Sequence, residues 1–157
     1  MFHKTILCTI YICTLQLRME DLLKLEHQVC FPVYAFSREI TSLYRPLLEE
    51  LDLTYPQYLV MLVLWEEKEQ TVNQLGEKLH LDSGTLTPLL KRLVLKGIVE
   101  RTRSKVDERV VVISLTKPGL EMKAKAQCIP GKIMETLGLS IDELLVLKGI
   151  INKVLGH

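Results

Sequence analysis

"LDSGTLTPLLKRL", residues 81–93, and "VLKGIVERTRSKVDERVVVISL", which continues it to residue 115, decide the fold. Asp82 or Ser83 can cap a helix, because a short side-chain oxygen accepts an amide proton that the first turn leaves without an intrahelical partner. Leu86, Leu89, Leu90, Leu93 and Val94 recur at helical spacing and form one apolar face. Gly97 ends the pattern. Beyond it, residues 99–103 alternate loosely and residues 110–115 are β-branched and strand-like. A polar tip lies between them, so residues 98–115 read as a β-hairpin.

Working outward, "TVNQLGEKL" (71–79) places Thr71 and Gln74 at capping-box spacing and opens a short helix to about residue 79. "DLTYPQ" (52–57) repeats the signal with Thr54, Gln57 and a first-turn Pro56, starting an apolar helix over about 56–67 with Trp65 as core. Upstream, apolar residues at 22, 25, 29, 33, 36, 40, 43, 47 and 51 trace one long helix stripe. Downstream, Thr116 to about Ala126 reads as helical, and Ser140 with Glu143 caps a final apolar helix to about residue 155. The order is a long helix, three shorter helices, a hairpin and two helices. This is a mainly α fold with a small β-hairpin wing, a winged helix-turn-helix extended by helices at both ends. The outer helices have more apolar face than one small domain can cover, so they are expected to form a homodimer. A single domain is expected over 19–157, with a DNA-binding part at about 54–116 and a dimerisation part at about 20–52 and 117–156.

The chain has 157 residues, 48% hydrophobic and 25% charged, enough for a core without disulfides or metal. Its net charge of +1 carries no message about partners, so local patches must. Cysteines at 8, 13, 30 and 128 include no C-x-x-C pair, and no histidine lies at zinc-ligand spacing. A cytoplasmic chain with reduced thiols is expected, with no metal and no cofactor. The opening "MFHKTILCTIYICTLQLR" has a basic start and an apolar run, but no A-x-A-like cleavage site follows. The run is shorter than the about 20 residues a membrane span needs. Met19 is the expected natural start, with residues 1–18 a non-native or disordered extension and no membrane partner.

Residues 91–109 hold seven cations (Lys91, Arg92, Lys96, Arg101, Arg103, Lys105, Arg109) against three anions, an excess of four that can neutralise phosphates. A solvated surface can carry such charge too. The preceding helix tips the balance, because Ser83, Thr85 and Thr87 place small hydroxyls at its N-terminal end, within reach of base edges and phosphates. Pro88 removes the bond to the Gly84 carbonyl.

"LEHQVCFPVY" (25–34) puts Cys30 one step off the long stripe, with Tyr34 one turn on and Tyr44 close to the same helical face. Inside a helix, Pro32 would leave the Gln28 carbonyl without its donor. A cysteine on an apolar face is more often filler than a reactive group.

"LDSGTLTPLLKRL" followed by "RTRSKVDERVVVISLT" resembles the recognition helix and wing of MarR-family repressors. "LEHQVCFPVYAFSREI" with "YRPLLEELDLTYPQYLVMLVLWE" resembles the organic-hydroperoxide-sensing, OhrR-like branch, and the likeness covers about residues 20–155. The resemblance implies that Arg109 enters a minor groove, that Asp107 holds the wing, and that Cys30 is the peroxide sensor. It also implies that tyrosines matching Tyr44 and Tyr55 reach the sulfur from the partner subunit, with Tyr34 beside it. Phenol donors favour the thiolate, the reactive form. An organic hydroperoxide would oxidise Cys30, a small thiol or a second protein thiol would form a disulfide with it, and the repressor would release an inverted-repeat operator of double-stranded DNA. One branch of the family carries a resolving cysteine after the wing. Cys128 lies in that region and is the candidate, although the match is not residue for residue. Other readings are a MarR-type repressor gated by a small aromatic ligand, a thiol peroxidase using Cys30, and a membrane-tethered regulator. The regulator reading, not the enzyme, accounts for the DNA-binding pattern.

Overall fold

The structure is a computed structural model that describes residues 22–104 and 106–156. The expectations for residues 1–18, Cys8, Cys13 and Lys105 lie outside the described residues. Contacts divide the chain into two units, one ending at Ser42 and one beginning at Leu43.

The expected long helix starts later than its apolar stripe. Residues Leu25–His27 form a short 3-10 turn, and helix α1 covers Cys30–Glu49. Pro32 explains the start. A proline fits the first turn, where an amide proton would have no intrahelical acceptor, and is poorly tolerated further in. Beginning at Cys30 places Pro32 third in the helix. The expected orphaning of the Gln28 carbonyl is therefore corrected: it accepts from the Phe31 amide at 3.3 Å. Pro46 does sit inside α1, which continues to Glu49.

In the second unit the capping signals hold. Helix α2 (Tyr55–Glu67) starts at Thr54, whose amide donates to Gln57 Oε1 at 3.0 Å. Strand β1 (Glu69–Thr71) leads into α3 (Val72–Leu79), capped reciprocally by Thr71 and Gln74. Helix α4 (Ser83–Leu95) is capped by Asp82, and the chain turns at Gly97 with φ +68°. Strands β2 (Val99–Arg103) and β3 (Val111–Leu115) form the hairpin. Three helices follow where two were expected: α5 (Lys117–Ala126), α6 (Ile129–Leu137) and α7 (Ile141–Leu155). "IPG" suggests a break, but Pro130 occupies the first turn of α6, and Gly138 ends the helix in the left-handed conformation.

The wing is a three-stranded antiparallel sheet in the order β1-β3-β2, not a bare hairpin. β1 pairs Gln70 with Ile113 on one edge of β3, and β2 pairs Arg101 with Ile113 on the other. Three residues reading Glu-Gln-Thr have no alternation, so only the pairing reveals them as a strand. Leu75 of α3, Leu86, Leu90 and Leu93 of α4, and Ile113 of β3 share one core with Val60, Met61 and Leu64 of α2. The core continues into α5 and α6 through Ala126, Ile129 and Ile133. This packing ties the wing and α4 to one rigid base. Among the described residues no helix is long and apolar enough to cross a membrane.

Candidate nucleic-acid interface and thiol site

The core fixes which face of α4 is free. Leu86, Leu89, Leu90 and Leu93 are buried, which turns Ser83, Thr85, Lys91 and Arg92 to the exposed side. The turn that aims the helix is tight. Leu81 N donates to Gly76 O at 2.9 Å, and a Cβ at Gly76 would stand 2.9 Å from the Leu81 carbonyl. At the far end, Lys96 Nζ bonds the Asp52 carboxylate at 2.9 Å and also the Asp52 carbonyl, holding the end of α4 to the turn after α1.

The wing tip is organised by its own polar groups. Asp107 Oδ1 accepts from the Arg109 amide at 2.9 Å, and the Asp107 carbonyl accepts from Val110 N at 2.9 Å. Ser104 Oγ accepts from Val106 N at 3.2 Å, and Ser104 N donates to Val110 O at 2.9 Å. The Arg109 main chain is thus fixed and its side chain exposed.

Thr87 and Lys91 of α4, Arg101 and Arg109 of the wing, and Thr71 and Asn73 at the start of α3 line one cleft. Three cations from three chain segments converge there, the chemistry that suits a phosphodiester backbone. Arg101, Arg103, Asp107 and Arg109 line a second depression on the wing. Ser83, Thr85 and Arg92 lie outside the cleft, exposed on the same helix. The Thr85 hydroxyl is not free: it bonds Asp82 Oδ2 at 2.8 Å, while Thr85 N donates to Asp82 Oδ1 at 2.9 Å. The Thr85 hydroxyl, then its amide, hold the Asp82 carboxyl below the usual aspartate value.

Cys30 is the first residue of α1 and exposed. Tyr34, also exposed, accepts from Arg38 Nη1 at 3.1 Å, and the guanidinium lies 5.6 Å from its ring centre. In the second unit the Tyr44 and Tyr55 rings meet at 4.8 Å, and Tyr58 lies 5.8 Å from Tyr44 and 6.1 Å from Trp65. Burial first, and then the neighbouring phenols, push Tyr44 above the ordinary value of 10.0. Burial alone raises Tyr55. Tyr58 is raised by burial, then by Tyr55, then by Cys128. Cys128 itself is exposed at the start of α6, its Sγ 3.6 Å from the Lys125 carbonyl.

Residues 42–126 match the family described as transcriptional regulator SarA/Rot. The chain is 51% identical over 135 residues to an organic hydroperoxide resistance transcriptional regulator of Bacillus subtilis (strain 168), covering 86% of this chain and 92% of that one. It is similar to the structure of reduced AbfR bound to DNA, at 36% identity and TM-score 0.72, covering 89% and 98% of the two chains. A mutant of the E. coli MarR complexed with operator DNA matches at 30% identity and TM-score 0.72, covering 78% and 90%. The chain belongs to the MarR family of winged-helix transcriptional regulators.

As a MarR-family chain it is a DNA-binding transcriptional regulator rather than an enzyme. Two parts of the regulator's site were missed in the sequence. Tyr58, 2% exposed, completes the aromatic cluster; its spacing of three from Tyr55, one turn of α2, was the available signal. Thr71 and Asn73 join the cleft only because α3 packs beside the wing. The capping box marks Thr71 as a helix start, not as part of a cleft, and no motif marks Asn73.

Proposed function

We propose that this regulator is a cytoplasmic homodimeric repressor that senses organic hydroperoxides through Cys30 and leaves its operator when that thiol is oxidised. The observation that carries the reading is Cys30: an exposed thiol at the first turn of α1, with Tyr34 one turn on, in a chain similar to a hydroperoxide resistance regulator. The resemblance assigns two further phenols, Tyr44 and Tyr55, to the same thiol. The resemblance brings these phenols from the partner subunit, so the proposed sensor needs a second copy. Tyr44 and Tyr55 are phenols at neutral pH, and burial raises both further above the ordinary value, so they can donate to a thiolate.

The chemistry balances in two steps. The Cys30 thiolate attacks the outer oxygen of a hydroperoxide. The O–O bond breaks, the sulfur takes the hydroxyl as a sulfenic acid, and the alkoxide leaves as its alcohol by taking a proton from water. A second thiol then displaces the hydroxyl, forming a disulfide and releasing water. The second thiol is a small molecule or Cys128 of either subunit. The added bulk at the dimer contact moves the two α4 helices away from the roughly 34–36 Å spacing that successive major grooves require. Ser83, Thr85, Thr87, Lys91, Arg92, Arg101, Arg103, Lys105, Asp107 and Arg109 form the proposed DNA face, with Arg109 suited to a narrow minor groove.

The test is operator binding by the full chain, reduced and after cumene hydroperoxide with a small thiol present. The wild type should lose affinity at least tenfold on oxidation, and Cys30→Ser should bind equally well before and after. A Cys30→Ser protein still released by peroxide overturns the sensor assignment.

A further inference from the structure

We propose that Asp82 sets the hydrogen-bonding polarity of Thr85, so that this hydroxyl reads a DNA base only as an acceptor, from an exocyclic amino group. The inference rests on the reading of α4 as the helix that meets DNA. It adds which bases one position of α4 selects, and which residue makes that choice.

Asp82 Oδ1 accepts the Thr85 amide at 2.9 Å, and Oδ2 lies 2.8 Å from Thr85 Oγ1. A carboxylate has no proton to give, so the proton in the second bond is the threonine's. The carboxyl is exposed and sits below its usual value, so it is ionised at neutral pH. A bond to an ionised acceptor is roughly twice as strong as a neutral one, which keeps the proton where it is. Gly84 contributes room: a Cβ there would stand 2.9 Å from Asp82 Oδ1 and push the carboxylate off this double contact.

What Thr85 has left to offer outward is lone pairs. In the major groove cytosine N4 and adenine N6 donate, whereas guanine O6 and N7, thymine O4 and adenine N7 accept. Every base pair carries one amino group there, so an acceptor-only hydroxyl chooses which strand bears it. A phosphate oxygen is an acceptor as well, and the Asp82 charge repels it. The expectation that Thr85 serves base edges and phosphates alike therefore narrows to base amino groups. Asp82 is a positioning residue, and Thr85 the residue that touches the base.

Asp82→Asn is the informative change, because asparagine caps a helix about as well as aspartate. Its one oxygen is taken by the Thr85 amide. Its NH2 then faces the hydroxyl, which becomes an acceptor toward Asn and is free to donate outward. The hydroxyl regains its donor and keeps one lone pair, so the acceptor-only restriction is lifted while the cap remains.

The experiment incubates the full-length reduced protein with a randomised double-stranded DNA library and sequences the bound duplexes, for wild type, Asp82→Asn and Thr85→Val. Circular dichroism checks that each is folded. Wild type should enrich an inverted repeat with one half-site position favouring C or A on one strand roughly tenfold, the scale of a single base contact. Thr85→Val should level that position to within about twofold. Asp82→Asn should relax that preference, so that G and T are enriched there alongside C and A, on top of a sequence-independent rise in affinity from the lost charge. If either folded variant keeps the wild-type preference at every position, the inference is wrong, whatever happens to overall affinity. If Asp82→Asn does not fold, Asp82→Ser takes its place, since serine also caps a helix and carries no carboxylate. If wild type enriches no duplex at all, the reading of α4 as the DNA helix fails, and this inference with it.

Discussion

Helix α4 has 13 residues behind an Asp82 cap, and α7 has 15 behind a Ser140 capping box. As local structures both are well specified. As packed structures they differ: α4 buries Leu86, Leu89, Leu90 and Leu93, whereas α7 buries none. Leu145, Val146 and Ile150 of α7 are each at least 60% exposed. Exposed apolar area costs roughly 25 cal/mol per Å² relative to burial, and a contiguous face of this kind marks an interaction surface. Caps decide that a helix forms. They do not decide whether its apolar face is covered by the same chain. On this comparison α4 belongs to a finished core, and α7 presents the apolar face that the proposed dimer would cover.

The sharpest way to break the comparison is one substitution made twice. A Cβ at Gly119 would stand 1.9 Å from the Ile98 carbonyl, beneath the bond from Trp65 Nε1 to Gly119 O. Gly119→Ala should cost about 3 kcal/mol in urea unfolding, as overpacking does. Gly149 of α7 has nothing within 4 Å. Gly149→Ala should stabilise by roughly 0.5–1 kcal/mol, the helical preference for alanine. A destabilised Gly149→Ala protein would mean that the second copy packs against that very position.

Next in size, Leu145→Glu combined with Ile150→Glu should raise the dimer dissociation constant at least about 100-fold, because two charges would have to be buried. Sedimentation velocity measures it, and far-UV circular dichroism should stay unchanged. An unaltered dimer would place the contact elsewhere.

The smallest expected effect is on the finished side. Arg109→Ala should weaken operator binding about tenfold, on the scale of roughly 1–3 kcal/mol for one base-reading arginine. Melting temperature and dimer mass should not move, since the Asp107 carboxylate holds the main chain of residue 109 and not its side chain. Unchanged affinity at physiological salt would remove Arg109 from the interface.

Much of this was legible in the residues. Thr54 with Gln57, Thr71 with Gln74 and Ser140 with Glu143 each announce a helix start, because a cap involves neighbours three apart and needs nothing distant. The α4 face at 86, 89, 90 and 93 was equally plain, since burial follows helical period. What escaped depends on distant partners. β1 is a strand only because β3 lies beside it. The start of α1 at Cys30 was obscured by an apolar stripe that continues upstream through residues that are not α-helical. The α6 helix hid behind a proline that starts it instead of stopping it.

The sequence by itself determined the helix-turn-helix, the wing, the cysteine and the cations, because caps, period and residue chemistry are local properties. Only the tertiary structure decided that Thr71 and Asn73 share a cleft with Lys91, Arg101 and Arg109, and that Tyr58 joins Tyr44 and Tyr55. The bond that occupies the Thr85 hydroxyl is local, three residues apart, yet it shows only once the Asp82 rotamer is fixed. Residues far apart in the chain meet only when the core seats α2, α3, α4 and the sheet together. The direction of a hydroxyl proton is settled only when its acceptor is in place.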